Sequence, residues 1–267
     1  MEWIKYHEAE KVFDLRTENS TYQMQVREYD TLVHLYYGCP VGDSLITDRI
    51  VCVDRGFSGN PYEAGKDKTF SLDTLPQEYT AYGNGDYRIN GLEVEQADGS
   101  DTANLKFESY KITKGKYSLK GLPAMFAKED EAETLEIVLA DRVSGLKAHL
   151  LYSVFPHLDV ITRAVRLEQT GETPVTVKKA MSMEMDFEYR EMDAVHFYGR
   201  HNVERQMERT HLGHANWSVG SIRGTSSHHH NPFVILCDRN TEETYGNCYG
   251  YALAYSGNFT FETEVDQ

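Results

Sequence analysis

What this chain lacks narrows it before anything it contains. No run of apolar residues is long enough to span a bilayer, and the opening residues MEWIKYHEAEK are polar, unlike a secretory leader. Basic residues are outnumbered, 27 Lys and Arg against 42 Asp and Glu, for a net charge of −15. Nucleic acid and anionic membrane are therefore not expected partners, because both are held by basic patches, whereas neutral and cationic ligands stay open. Only four cysteines occur in 267 residues, Cys39, Cys52, Cys237 and Cys248, and no two form a CxxC pair. This argues against a zinc ribbon or a disulfide framework and predicts a cytoplasmic protein with reduced thiols. Helical periodicity is scarce, and there is no repeat of fixed period and no low-complexity linker. One domain is expected over residues 1–267.

Short strands and turns fill the chain instead. Leu15 to Val26 and Thr31 to Tyr37 read as paired strands around the turn Arg27 to Asp30. Leu92 to Gln96 reads as a strand closed by Asp98-Gly99. Leu105 to Thr113 alternates, with Leu105, Phe107 and Ser109 on one face and Lys106, Glu108 and Tyr110 on the other. Thr134 to Ala140, Leu146 to Val154, Val160 to Gln169 and Val175 to Asp186 follow. Glu129 to Glu136 has helical propensity, but LEIVLA is β-branched and bounded by turns, so its second half reads as strand. The regular spacing predicts an all-β fold, a large antiparallel β-sandwich. The chain stops at Val265-Asp266-Gln267, just after the alternating FTFETEV, with no terminating turn; this reads as an imposed boundary.

The stretch Thr69 to Glu95, TFSLDTLPQEYTAYGNGDYRINGLEVE, stands apart. It combines Pro76, Gly83, Gly85 and Gly91 with Asp73, Glu78, Asp86 and Arg88. Glycines this dense mark sharp turns or close backbone approach. Asp86 and Arg88, two apart, share a face if the segment is extended, and are expected to pair. Upstream lies a second irregular run, Asp54 to Lys68. Together they form a long charged excursion of the kind that carries function, although solvated surface turns are the plainer reading.

Histidines are the first place to seek metal or proton chemistry. His228, His229 and His230 lie together, with His211 and His214 nearby. Adjacent residues of an extended chain point to opposite faces, so three in a row do not easily share one ion, and no metal or cofactor is expected. Ser226-Ser227-His228 has the residue types of a nucleophile and a base. Neighbours in sequence seldom face each other as a triad requires. Glycoside cleavage with retention needs two carboxylates about 5–5.5 Å apart. With 42 acids, no pair is singled out by the sequence.

The run FSLDTLPQEY followed by YGNGDYR resembles the N-terminal domain of bacterial-type α-galactosidases of glycoside hydrolase family 36. KGKYSLKGLP, EAETLEIVL, DVITR, RGTSSHHHNPF and YSGN resemble further segments of that family, so the likeness covers nearly the whole chain. The resemblance implies a β-supersandwich, two large antiparallel sheets packed face to face, that usually continues beyond residue 267. It also implies a retaining α-galactosidase acting on melibiose- and raffinose-type oligosaccharides. The family's two catalytic aspartates belong to a (β/α)8 barrel that follows this domain, one in a Lys-Trp-Asp-type motif. Here neither Trp3 nor Trp217 precedes an aspartate, and strand–helix alternation is missing. No catalytic residue is therefore expected in these 267 residues, and the chain alone is expected to be inactive.

The resemblance carries one binding residue. In the family, an aspartate in a pattern like Asp54-Arg55-Gly56-Phe57-Ser58-x-Asn60-Pro61 binds hydroxyls of galactose from a loop over the barrel mouth. The match is Asp54. An ionised carboxylate accepts two charge-assisted hydrogen bonds and so fixes neighbouring hydroxyls. The alternative is that Asp54 pairs with Arg55 or Lys68 at the surface; Lys68 stands where the family often has arginine. Phe57 is expected to pack beneath the loop. Family members tend to form tetramers in which these domains help build the interface, so a homo-oligomer is expected, and Asp54 then serves its own or a neighbour's site. The competing reading is a free-standing carbohydrate-binding or mutarotase-like β-sandwich.

Overall fold

The protein is described by a computed structural model covering residues 2–266 apart from 55, 57 and 58. Among these residues, the regular structure is sixteen β-strands and two 3-10 turns, with every strand pairing antiparallel. The expected all-β, sandwich-like fold is what forms. The chain divides into two compact units, Met1–Tyr117 with Phe126–Asp186, and Ser118–Met125 with Phe187–Gln267.

In the first unit, β1 (Ile4–His7), β2 (Val12–Arg16), β3 (Thr21–Val26) and β4 (Leu32–Gly38) form a meander. A second meander comprises β6 (Lys106–Lys114), β7 (Glu133–Ala140), β8 (Leu146–Phe155) and β9 (Val160–Gln169). β5 (Leu92–Glu95) pairs with β10 (Thr176–Ala180). Phe13, Leu15, Tyr22 and Met24 from the first meander share one buried core with Leu135, Ile137, Leu150 and Tyr152 from the second. Alternating apolar residues of both sheets thus close on each other and exclude water, the main favourable contribution to the fold.

Three sequence readings change in detail. Leu15 to Val26 is two strands, because Thr17 N–H donates to the Ser20 carbonyl at 2.9 Å and turns the chain. The Ser20 hydroxyl then donates to Asp159 at 2.6 Å, and Thr17 donates to the same oxygen at 2.5 Å. Val175 to Asp186 is regular only as far as Ala180. In β6 the alternation breaks: the register shifts between Phe107 and Ser109, so Phe107 and Tyr110 both reach Phe13, with ring centroids 6.1 and 5.1 Å away. A bulge inserts one residue and reverses the parity on which a face assignment rests.

In the second unit, β11 (Met192–Arg200), β12 (Val203–His211), β14 (His230–Asp238) and β15 (Cys248–Ala252) form a sheet ordered β12-β11-β14-β15. β13 (Asn216–Ser221) pairs with β16 (Phe259–Glu264), which covers the expected FTFETEV strand. Met192, Ala194, Val219, Val234 and Leu236 make its core, with Trp217 and Phe261 against them. β12 is an edge strand whose residues are nearly all exposed. Its residues Glu204, Arg205, Glu208 and Arg209 are charged, and Arg205 has φ +57°.

Candidate functional site

The excursion between β4 and β5 holds the residue carried over from the family pattern, and its anchoring can be built up contact by contact. Gly59 and Gly85 touch through their backbones, and the Gly59 carbonyl accepts the Leu72 N–H at 3.1 Å. Asn60 Nδ2 donates to the Phe70 carbonyl at 2.7 Å. These bonds tie the run Asp54 to Lys68, through Gly59 and Asn60, onto the stretch Thr69 to Glu95. Asp54 itself is exposed and outside regular structure. Its Oδ1 accepts the backbone N–H of Gly56 at 2.8 Å, in a turn that Gly56 enters at φ +75°. The carboxylate is thus pinned by its own loop while remaining open to solvent. The expected packing of Phe57 and the alternative pairing with Arg55 both fall outside the described residues.

Beneath this loop the charged residues of the central stretch pair as their spacing predicts. Arg88 Nε and Nη2 donate to the two oxygens of Asp86 at 2.9 and 2.8 Å, a two-pronged bond. Nη2 also donates to the carbonyls of Leu75 and Leu72 at 2.7 and 3.1 Å, and Nη1 reaches Asp186 at 3.3 Å. Gln77 Nε2 completes Asp86 at 2.9 Å. Arg88 therefore acts as a bracket that holds three backbone segments together. Burial works against its charge, but Asp86 and Asp186 outweigh that and raise its pKa.

Two further acids enter from the irregular chain after β10. Glu184 accepts the Thr80 N–H at 2.8 Å and the Thr80 hydroxyl at 2.9 Å. Burial, with the Asp186 charge behind it, pushes its carboxyl up to about 8 despite those bonds. Asp186 is pushed up to about 6, by burial first, with Arg88 opposing. Gly91 is explained here: a Cβ would lie 2.8 Å from Glu184 Oε2 and 2.9 Å from the Tyr79 ring.

Glu78 is fully buried at the centre of the first unit. Its Oε1 accepts the hydroxyls of Tyr22 at 2.6 Å and Tyr152 at 2.7 Å, and meets Arg163 Nη2 at 2.7 Å. His34 Nδ1 lies 3.3 Å from Oε2. Burial would raise the carboxyl, yet Arg163, His34 and the tyrosine bond hold it below the usual carboxylate range. None of this was visible in the sequence, because the partners come from β3, β4, β8 and β9.

These acids are bonded to cations, hydroxyls and amides, and Asp86 and Asp186 are bridged by Arg88. They are not a pair facing each other across an open cleft. The arrangement is that of an exposed loop tied to a charged, cross-braced segment.

In the second unit, His228 and His229 do not point apart. Their rings stack at 4.9 Å, because the chain turns through Ser227 at φ +49° before β14 begins. The two segments RGTSSHHHNPF and YSGN lie together: the Gly224 N–H donates to Asn258 Oδ1 at 2.6 Å, and Ser226 N–H to the Ser256 carbonyl at 2.9 Å. Among the described residues, no group of three or more His, Cys, Asp or Glu is placed to hold a metal ion.

Residues 30–267 match the family described as the glycosyl hydrolase family 36 N-terminal domain. The bifunctional alpha-galactosidase/sucrose kinase AgaSK of Mediterraneibacter gnavus is 51% identical over 99% of this chain, which covers 28% of that protein. Alpha-galactosidase Mel36A of Lactobacillus acidophilus is 42% identical over 99% of the chain, covering 36% of its own length. The solved galactosidase domain of AgaSK superimposes with a TM-score of 0.96 over 99% of this chain and 37% of that one, at 51% identity. A variant of alpha-galactosidase AgaA from Geobacillus stearothermophilus, solved in complex with raffinose, gives 0.92 at 41% identity over 96% of this chain and 36% of that one. The chain thus spans about a third of the length of these relatives.

Proposed function

Because the chain belongs to the glycosyl hydrolase family 36 N-terminal domain family, we propose that it is the N-terminal β-supersandwich domain of a retaining α-galactosidase. In this reading the whole protein hydrolyses terminal α-galactosyl residues from melibiose- and raffinose-type oligosaccharides. These 267 residues supply the glycone-binding loop with Asp54 and the contacts of a homo-oligomer, and a barrel supplies the bond-breaking carboxylates. The protein works in the cytoplasm and needs no cofactor.

The observation that carries the reading is the likeness over 99% of the chain, in fold and sequence, to a solved galactosidase domain. The rim agrees chemically: Asp54 is held by the Gly56 amide, exposed, and able to accept hydroxyl protons. A site that pairs with galactose hydroxyls leaves polar groups unpaired when an epimer enters, and this is how such sites discriminate.

The test is direct. The full-length protein should release galactose from raffinose, with the α-anomer formed first in a proton NMR time course. Residues 1–267 alone should leave an aryl α-galactoside intact. Turnover by these residues alone would overturn the division of labour, and a full-length protein inert on every α-galactoside would overturn the activity.

A further inference from the structure

We propose that Cys237 and Cys248 are a redox modification site, joined by a cross-strand disulfide when the protein meets a peroxide. The inference stands on the geometry of β14 and β15 and does not rest on the galactosidase reading.

The two residues are Cα partners in the antiparallel ladder. The neighbouring Asp238 N–H donates to the Asn247 carbonyl at 3.2 Å, so residues 238 and 247 form a hydrogen-bonded pair. Hydrogen-bonded and non-hydrogen-bonded pairs alternate along such a ladder, which makes 237 and 248 a non-hydrogen-bonded pair. At these positions the Cα atoms approach to about 4.5 Å and the side chains leave the sheet on the same face. That spacing lies within the range of about 4.4–6.8 Å that a disulfide spans. Cys39 and Cys52 have no cysteine opposite them on a ladder.

The two thiols differ in access. Cys248 is exposed, and Cys237 is buried with Sγ 3.7 Å from the Asp193 carbonyl. Burial pushes the Cys237 thiol up, with Arg209 opposing, so it stays protonated while the exposed partner meets the oxidant. In the first step the Cys248 thiolate attacks one peroxide oxygen. An S–O bond forms, the O–O bond breaks, and hydroxide leaves and takes up a proton, giving water and a sulfenic acid. In the second step the Cys237 sulfur attacks the sulfenyl sulfur. An S–S bond forms, the S–O bond breaks, and the hydroxyl leaves with the Cys237 thiol proton as a second water. Peroxide gains two electrons and the thiol pair loses two.

The bond would staple a strand that is otherwise held by one ladder, since β15 ends its sheet. The connection between β14 and β15 is already clamped from outside. Arg209 donates to the carbonyls of Thr241 and Arg239, both at 2.7 Å, and to Asp193 at 2.6 Å. Oxidation adds a covalent closure to a hairpin that is positioned beforehand.

The test uses the full-length protein treated with hydrogen peroxide under native conditions, then alkylated in denaturant and digested with trypsin. Cleavage after Arg223 and Arg239 places Cys237 and Cys248 on different peptides. The expected product is peptide 224–239 joined to the peptide that starts at Asn240, two hydrogens lighter than their sum. Dithiothreitol should reverse it, and Cys248→Ser should abolish it. Amide exchange over 248–252 should slow severalfold on oxidation. Full alkylation of Cys237 beside a sulfinic or small-thiol adduct on Cys248 would overturn the proposal, as would a link formed between two copies.

Discussion

Gly59 and Gly85 meet backbone to backbone: a Cβ built on Gly59 would stand 1.9 Å from the Gly85 carbonyl oxygen. No side chain fits that gap. Gly85 also has φ +86°, a conformation that L residues rarely adopt. Gly59→Ala should therefore push the two loops apart and cost about 1–3 kcal/mol of stability, the range for overpacking. Chemical denaturation of the full-length protein measures it; an unchanged midpoint would mean the loops are not in contact.

Asp54 is the one side chain to which a sugar contact is assigned. Asp54→Ala in the full-length protein should lower kcat/KM for raffinose by about 1.5–3 kcal/mol, the worth of a charge-assisted hydrogen bond. The melting temperature should barely move, because the carboxylate is exposed and bonds only one amide among the contacts described. A kinetically silent variant removes Asp54 from the site.

Arg163 and Glu78 make a buried ion pair in the first unit, at 2.7 Å, with side chains 7% and 0% exposed. Removing one partner strands the other without water, so Arg163→Met should destabilise by about 3–5 kcal/mol. Combining it with Glu78→Gln keeps an acceptor for Tyr22 and Tyr152 but removes the orphaned charge. The double variant should therefore cost less than the two single ones added together, a coupling that a double-mutant cycle reads.

Stability should also respond to pH through Glu184. Its folded pKa of about 8 lies above the value of about 4.3 for an unfolded glutamate. Below the unfolded value both states hold the proton and the contribution is complete. Between the two values the unfolded chain has lost the proton that the folded chain keeps, so stability falls as pH rises towards 8. Asp186 acts in the same sense up to about 6. Glu78, Glu136 and Glu168, held low by their partners, act oppositely and lose their contribution on acidification. The difference between wild type and Glu184→Gln isolates the first effect: the variant should gain relative stability as pH rises from about 5 to 8. Equal slopes for the two proteins would contradict it.

Local signals in the sequence were strong for β4 to β9, where alternating apolar residues are bounded by turns. They were weak for β12, VERQMERTH, which has no buried face to impose alternation, and for β15, where Gly250 interrupts the pattern. The Asp86–Arg88 fork was readable because its partners are two residues apart. The Glu78 and Glu184 contacts were not, since they span 44 to 104 residues and arise only when the strands assemble. Asp54 owes its selection to the family pattern; its exposure and its bond to Gly56 came from the structure. The stacking of His228 on His229 is not legible in the sequence, because alternation of faces holds only for an extended chain and Ser227 turns this one.

The rim formed by β12 has a bearing on how copies of this molecule can meet. Were two of them to zip together there about a two-fold axis at Met207, Arg205 of one would face Arg209 of the other, setting like charges opposite each other although Arg209 is already bonded to Asp193. The kink at Arg205 would also lift part of the strand out of line. Extending the sheet in that register would therefore set like charges against each other along this border.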